Sequence, residues 1–162
     1  MSAGNSAFNY RLVTERDFDA IRPLWEKLKA YTLARAGRFE EDVRRHAYEP
    51  RKRELLAKGA AGKIRIEIAS EETEAVDIAY CVSTISAEGR GEVDSIFVEE
   101  PFRGCGIGSE LLRRALSWLD GAGATAKVIS IAHGNDEAMA FYGRFGFYPR
   151  AVVVQHSEDS AE

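Results

Sequence analysis

The sequence predicts one α/β (α+β) domain, a mixed and mainly antiparallel sheet flanked by helices. Three observations lead there. Apolar residues alternate with polar ones between 63 and 98, with breaks at 71–74 and 87–91, the pattern of an antiparallel meander. A glycine-rich loop then joins a strand to a helix at 101–109. A strand, a helix and a further strand are expected over 126–154. The 162 residues suit one domain, placed at 1–156, with a polar tail at 157–162 expected to be disordered.

Taken in order, 8–14 alternate as a short strand. Thr14 and Asp17 have the spacing of a capping box before a helix whose Phe18, Ile21, Leu24, Trp25 and Leu28 share one face. The stretch 35–58, rich in Arg, Lys and Glu, reads as one or two exposed helices interrupted near Pro50. Gly59 and Gly62 bound a breaker, after which Ile64, Ile66 and Ile68 start the first meander strand. Strands at 75–86 and 91–98 follow. Leu111, Leu112, Ala115, Leu116 and Leu119 line the face of the helix after the loop, which Gly121 and Gly123 stop. Residues 126–132 form a buried strand, Asn135 caps a helix running through Phe145, and 147–154 form the last strand.

Composition narrows the function classes. Hydrophobic residues make up 45% and charged residues 30%, a globular mix rather than a disordered one. A net charge of −4 weighs against general nucleic-acid binding. The arginine-rich stretch at 35–58 reads as a solvated surface. Cys81 and Cys105 lack metal-ligand spacing, and His46, His133 and His156 are scattered, so no metal is expected. With neither a signal-peptide pattern at the start nor an apolar run of membrane length, a cytoplasmic protein without membrane contact is expected.

The segment 93–109 carries the chemistry. A strand, Gly104, Gly106 and Gly108, and then a helix offer free backbone N–H groups and a positive helix end to a phosphate. The spacing is neither the dinucleotide fingerprint nor a P-loop, which disfavours a general nucleotide-binding protein. Arg103-x-x-Gly106-x-Gly108 after a strand resembles motif A of the GCN5-related N-acetyltransferase (GNAT) family. Asn135-x-x-Ala138-x-x-Phe141-Tyr142 followed by Gly146-Phe147, with one extra residue, resembles its motif B.

The resemblance implies a splayed central strand pair and acetyl-CoA as co-substrate. Backbone groups of Ile96, Phe97 and Val98 would hold the pantetheine arm, and one N–H would stabilise the oxyanion. The loop residues Arg103, Gly104, Cys105, Gly106, Ile107, Gly108 and Ser109 would hold the pyrophosphate. Asn135 would contact pantetheine as well as cap its helix. Tyr142, also spaced as core, would protonate the departing thiolate. Glu92 is the candidate base, with Asp94, two residues on, as its rival and a pair of solvated strand-end acids as the alternative to both. The expected activity is direct acetyl transfer to a small-molecule or peptide amine. The alternative is a non-catalytic acyl-CoA-binding sensor or regulatory module. A homodimer is compatible with either.

Overall fold

The structure, a computed structural model, describes residues 7–157. The expected tail lies outside the described residues except for Ser157. Five strands form one sheet in the order β1 (Phe8–Val13), β2 (Lys63–Glu71), β3 (Val76–Ile85), β4 (Arg90–Val98) and β5 (Ala126–Ile129). The first four are antiparallel neighbours, and β5 runs parallel to β4. The mixed, mainly antiparallel sheet expected from the period-two pattern is therefore present.

Strand alternation gives the sheet two apolar faces, and helices cover both. On one side, Phe18, Ile21, Leu24, Trp25, Tyr48 and Leu55 pack on Ile66, Ile68, Tyr80, Val82 and Phe97. These helical residues come from a 3₁₀ turn (Glu15–Ile21), α1 (Arg22–Leu33) and α3 (Tyr48–Ala61). On the other side, α4 (Ile107–Gly121) places Ile107, Leu111, Leu112 and Ala115 against Ala69, Cys81 and Val93. Tyr142 of α5 (Asp136–Gly143) completes that core.

Several local expectations need correction. Thr14 does not cap a helix with its side chain; its carbonyl accepts from Asp17 N at 3.0 Å and opens the 3₁₀ turn instead. Pro50 does not interrupt 35–58. It sits in the first turn of α3, where a missing N–H costs nothing. The break falls at His46 and Ala47, between α2 (Glu40–Arg45) and α3. Gly62 follows α3 as its C-cap, and only glycine fits there, since a Cβ would lie 2.0 Å from the Ile85 carbonyl oxygen. The strand expected over 126–132 stops at Ile129. The strand expected over 147–154 does not form among the described residues; that segment is irregular and, beyond Phe147, exposed.

Two irregularities matter for the site. Between Val82 and Ser83 the β3–β4 register slips: Ser83 faces Val93 and Val82 faces Ser95, so Asp94 bulges from β4 without a partner. The β4–β5 pairing runs only from Arg90–Ala126 to Val93–Ile129. Beyond the bulge the two strands part, and the edge of β4 from 95 to 98 faces open space.

The second helical layer is fastened by a buried charge. Glu67 of β2, 3% exposed, accepts from Arg65 Nη2 at 2.9 Å and Arg114 Nη1 at 3.1 Å. Arg114, on α4, also stacks 4.4 Å from the centre of the Tyr10 ring. Removing one member of a buried pair leaves uncompensated charge behind. Glu67→Ala is expected to cost about 3 kcal/mol, the lower end for breaking such a pair. Thermal denaturation checks this as a fall in midpoint of roughly 6–12 °C.

Candidate active site

The parting of β4 and β5 opens a cleft of about 560 Å³. Its floor is the free edge of β4 at Ile96, Phe97 and Val98, one end is the glycine loop, and one wall is α5 with Asn135, Ala138, Phe141 and Tyr142. The cofactor-site expectations thus converge on one cavity. Cys105 is the exception, since it is exposed on the loop and does not line the cleft.

The loop geometry follows from its glycines. After a 3₁₀ turn at Glu100–Phe102, the chain takes left-handed conformations at Gly104 (φ +78°) and Gly106 (φ +83°), which residues with a Cβ adopt only with strain. Gly106 is the N-cap of α4 and supplies no side-chain cap. Among the described residues, the N–H groups of 104–109 meet neither a backbone nor a side-chain acceptor; the first helical bond is Glu110 N to Gly106 O at 3.0 Å. Six unpaired donors at a positive helix end form an anion cradle. At Gly108, which packs beside Val98 and Phe141, a Cβ would be in ordinary contact at 3.5–3.6 Å.

Arg103 turns inward. Its Nε donates to the Val98 carbonyl at 3.0 Å, and its guanidinium lies 4.8 Å from the Tyr31 ring centre and 5.5 Å from that of Phe97. Tyr31 comes from α1, and its hydroxyl donates to Glu137 of α5 at 3.2 Å. Tyr31, Glu137, Leu28, Phe102 and Arg144 also line the cleft and were missed by sequence reasoning. For the residues flanking the two motifs, Phe102 and Glu137, nearness in sequence was an available signal; for Tyr31 there was none.

Asn135 caps α5, its Oδ1 accepting from Ala138 N at 3.2 Å. Tyr142 is both core and cleft wall: 7% exposed, it packs edge-on to Phe141 and Phe147 at 5.0 and 6.0 Å between ring centres. Burial, reinforced by the nearby Cys81 and Tyr80 groups, holds its phenol well above the usual 10.0. The hydroxyl is therefore a proton carrier throughout the neutral range. The buried Cys81 thiol is pushed up to about 12 by the same desolvation and is inert.

Glu92 and Asp94 share a face as expected, but they do not line the cleft and are not solvated strand-end acids. Both bond Lys58 of α3, whose Nζ donates to Glu92 Oε2 at 2.8 Å and to an Asp94 oxygen. Thr84 Oγ1 donates to the other Asp94 oxygen at 2.7 Å. The Asp94 side chain is wholly buried, whereas that of Glu92 is 24% exposed. Burial pushes the Asp94 carboxyl above the usual range against the pull of Lys58 and Thr84. Burial alone would lower the Lys58 ammonium, but its two carboxylate partners raise it, so it stays charged. Arg51 Nη2 donates to the Asp94 carbonyl at 2.9 Å, so α3 grips the bulge at both side chain and backbone.

Comparison with known proteins agrees with this fold. A solved structure of a mutant BH1408 protein from Bacillus halodurans superimposes with a TM-score of 0.69 at 20% identity, covering 91% of this chain and 98% of that one. An aminoglycoside N-acetyltransferase, AAC(6')-Iy, in complex with CoA, gives a TM-score of 0.67 at 17% identity over 99% of this chain and 100% of that one. Among curated sequences, the uncharacterized N-acetyltransferase MJ1207 of Methanocaldococcus jannaschii is 33% identical over 72 residues, 44% of this chain and 32% of the relative. The N-alpha-acetyltransferase MAK3 of Arabidopsis thaliana is 38% identical over 67 residues, 41% of this chain and 35% of the relative. The match spans about a third of the length of these two relatives. Residues 24–147, more than half of the chain, match the profile described as the acetyltransferase (GNAT) family, and the chain belongs to that family.

Proposed function

We infer that this protein transfers an acetyl group from acetyl-CoA to an amine by direct attack in a ternary complex. The observation that carries the reading is the junction of the unpaired loop donors at 104–109 with the free β4 edge at 96–98 in one cleft. A ligand with a pyrophosphate at one end and an amide-bearing arm at the other fits that junction. The loop holds the phosphates, and the arm lies along β4 as an extra strand would, near Asn135. The Arg103 side chain, which now caps the Val98 carbonyl, must yield that acceptor to the arm.

In the reaction the amine nitrogen attacks the thioester carbonyl carbon. A backbone N–H of β4 receives the oxyanion, a contribution typically about 2.7–4 kcal/mol. The C–S bond then breaks, and Tyr142 gives its proton to the departing thiolate. The amine must shed a proton, since a lysine-like ammonium has a pKa of about 10.4. Glu92 is the better base of the two acids, because its carboxylate keeps a surface while that of Asp94 is sealed; it acts through water, since it does not line the cleft. Asp94 serves instead to hold the bulge. The cleft holds both reactants on one rigid sheet, which supplies the proximity contribution. The acceptor is a small-molecule or peptide amine. No helix among the described residues is long and apolar enough to cross a membrane.

Three outcomes test this reading. Acetyl-CoA at a hundredfold excess over its dissociation constant is expected to stabilise by about 2.7 kcal/mol. That raises the melting midpoint by roughly 5–11 °C. NAD and ATP should leave it unmoved, and Gly106→Val, strained at φ +83°, should abolish the acetyl-CoA shift. Binding without thiol release across an amine screen would favour the sensor module instead.

Tyr142→Phe should lower kcat by roughly 10²-fold or more with little change in KM for acetyl-CoA. Because the phenol lies above its usual 10.0, the wild type should show no alkaline fall in kcat from this group below pH 10. A free-thiol assay across pH reads both.

Glu92→Gln should lower kcat about 10²-fold, with a smaller fall in melting temperature than Asp94→Asn, because Glu92 is the more exposed of the two Lys58 partners. Asp94→Asn should lower the melting temperature, since it weakens the grip of Lys58 and Thr84 on the bulge. Equal turnover in wild type and Glu92→Gln would remove Glu92 as the base.

A further inference from the structure

Two side chains join the walls of the cleft across its mouth. Tyr31 comes from α1 and Glu137 from the first turn of α5, and the Tyr31 hydroxyl donates to Glu137 Oε2 at 3.2 Å. Both residues line the cleft. Among the described residues, this is the one hydrogen bond between the two helices. Tyr31 is half-buried and Glu137 exposed, so the contact lies where the cleft meets solvent.

The hydroxyl is aimed by its ring. The Arg35 guanidinium stacks 3.6 Å from the Tyr31 ring centre, and Arg35 Nη1 donates to the Tyr31 carbonyl at 3.2 Å. Arg103 stacks on the same ring at 4.8 Å. Such cation–ring contacts hold an aromatic plane in place. Glu137 is less ordinary than its position suggests. An acid in the first turn of a helix complements the helix end, but Asp136 already does so without lining the cleft. Glu137 faces a cleft whose loop collects anions, where its charge alone would repel the ligand. Its bond to Tyr31 gives it another use.

Beneath that bond lies a slot. Arg103 occupies it in this structure, against both Tyr31 and Phe97, with its Nε on the Val98 carbonyl. The pantetheine arm takes the same carbonyl in the reaction described above, which sets the arm between the β4 edge and the Tyr31 ring.

We propose that Tyr31 and Glu137 form a strap across the cleft mouth, which opens to admit acetyl-CoA and closes over its pantetheine arm. The inference rests on the acetyl-CoA reading and adds to it two residues that control exchange of the donor. The nucleotide end of the ligand is too bulky to pass beneath two side chains in hydrogen-bond contact, so the arm is laid in from the mouth. The bond is made by the chain alone and is remade over the arm. Its free energy is therefore common to both end states and missing only during passage. The strap sets the rates of entry and exit and leaves affinity alone.

Association and dissociation of acetyl-CoA, followed by surface plasmon resonance on the immobilised full chain, test the strap. Tyr31→Phe keeps the stacked ring and removes the hydroxyl. It should raise both rate constants by about threefold to tenfold, the span of one ordinary hydrogen bond, with the dissociation constant held within about twofold. Glu137→Ala should match it. The double variant should be no faster than either single one, because both remove the same bond. Glu137→Gln loses the charge but keeps an acceptor oxygen, so it should bring both rates back toward wild type. A faster dissociation alone, additive effects in the double variant, or Glu137→Gln behaving as Glu137→Ala would each overturn the strap. Binding at rates indifferent to Tyr31→Phe would overturn the strap and leave the acetyl-CoA reading standing. A wild-type chain that binds no acetyl-CoA would overturn both.

Discussion

The cleft exists because β4 and β5 cannot stay paired past Val93 and Ile129. Asp94 is one residue too many for the β3–β4 ladder, so it bulges and bends β4 where β5 stops. Behind the bulge the strands are joined; ahead of it, the backbone edge at 95–98 is left for something other than a strand. The glycine loop at the end of β4 and the N-terminus of α5 after β5 both open onto that gap. A straight β4 paired along its whole length would fill the gap with sheet. The loop donors would then face a flat edge.

What holds the bulge is an electrostatic clamp from the opposite layer. Lys58 reaches Asp94 and Glu92, Thr84 reaches Asp94, and Arg51 reaches the Asp94 carbonyl. Buried charge is tolerated here because each atom of the Asp94 carboxylate has a donor. The arginine-rich surface of 35–58 is thus not wholly a solvated face. One side of α3 holds the strand that carries the site, while Leu55 of the same helix is in the core.

The sequence made the meander, the loop and the Asn135 cap legible because each is written within a few residues. Alternation, glycine spacing and a cap three residues from its donor need no knowledge of tertiary contacts. Lys58 is 34 residues from Glu92 and 36 from Asp94, and neither helical nor strand periodicity links such positions. Tyr31, 106 residues from Glu137, was hidden for the same reason. Pro50 misled because proline breaks a helix interior but not its first turn. The strand expected at 147–154 failed for a different reason. Its residues have the propensity, but propensity makes a strand only where an edge is within reach, and here the segment is tethered to α2 through Gln155.

Tyr142 shows why a core reading and a functional reading of one residue need not compete. Its ring satisfies the second apolar layer, packed between Phe141, Phe147 and the sheet. That packing desolvates the phenol and keeps it protonated. The ring contacts also fix where the hydroxyl points, so it stands at the cleft wall with no hydrogen-bond partner among the described residues. An exposed tyrosine would lack both the fixed position and the raised pKa. For the proton-donor role proposed for this residue, core packing is thus the physical means that would place the hydroxyl and keep it protonated beside the β4 edge.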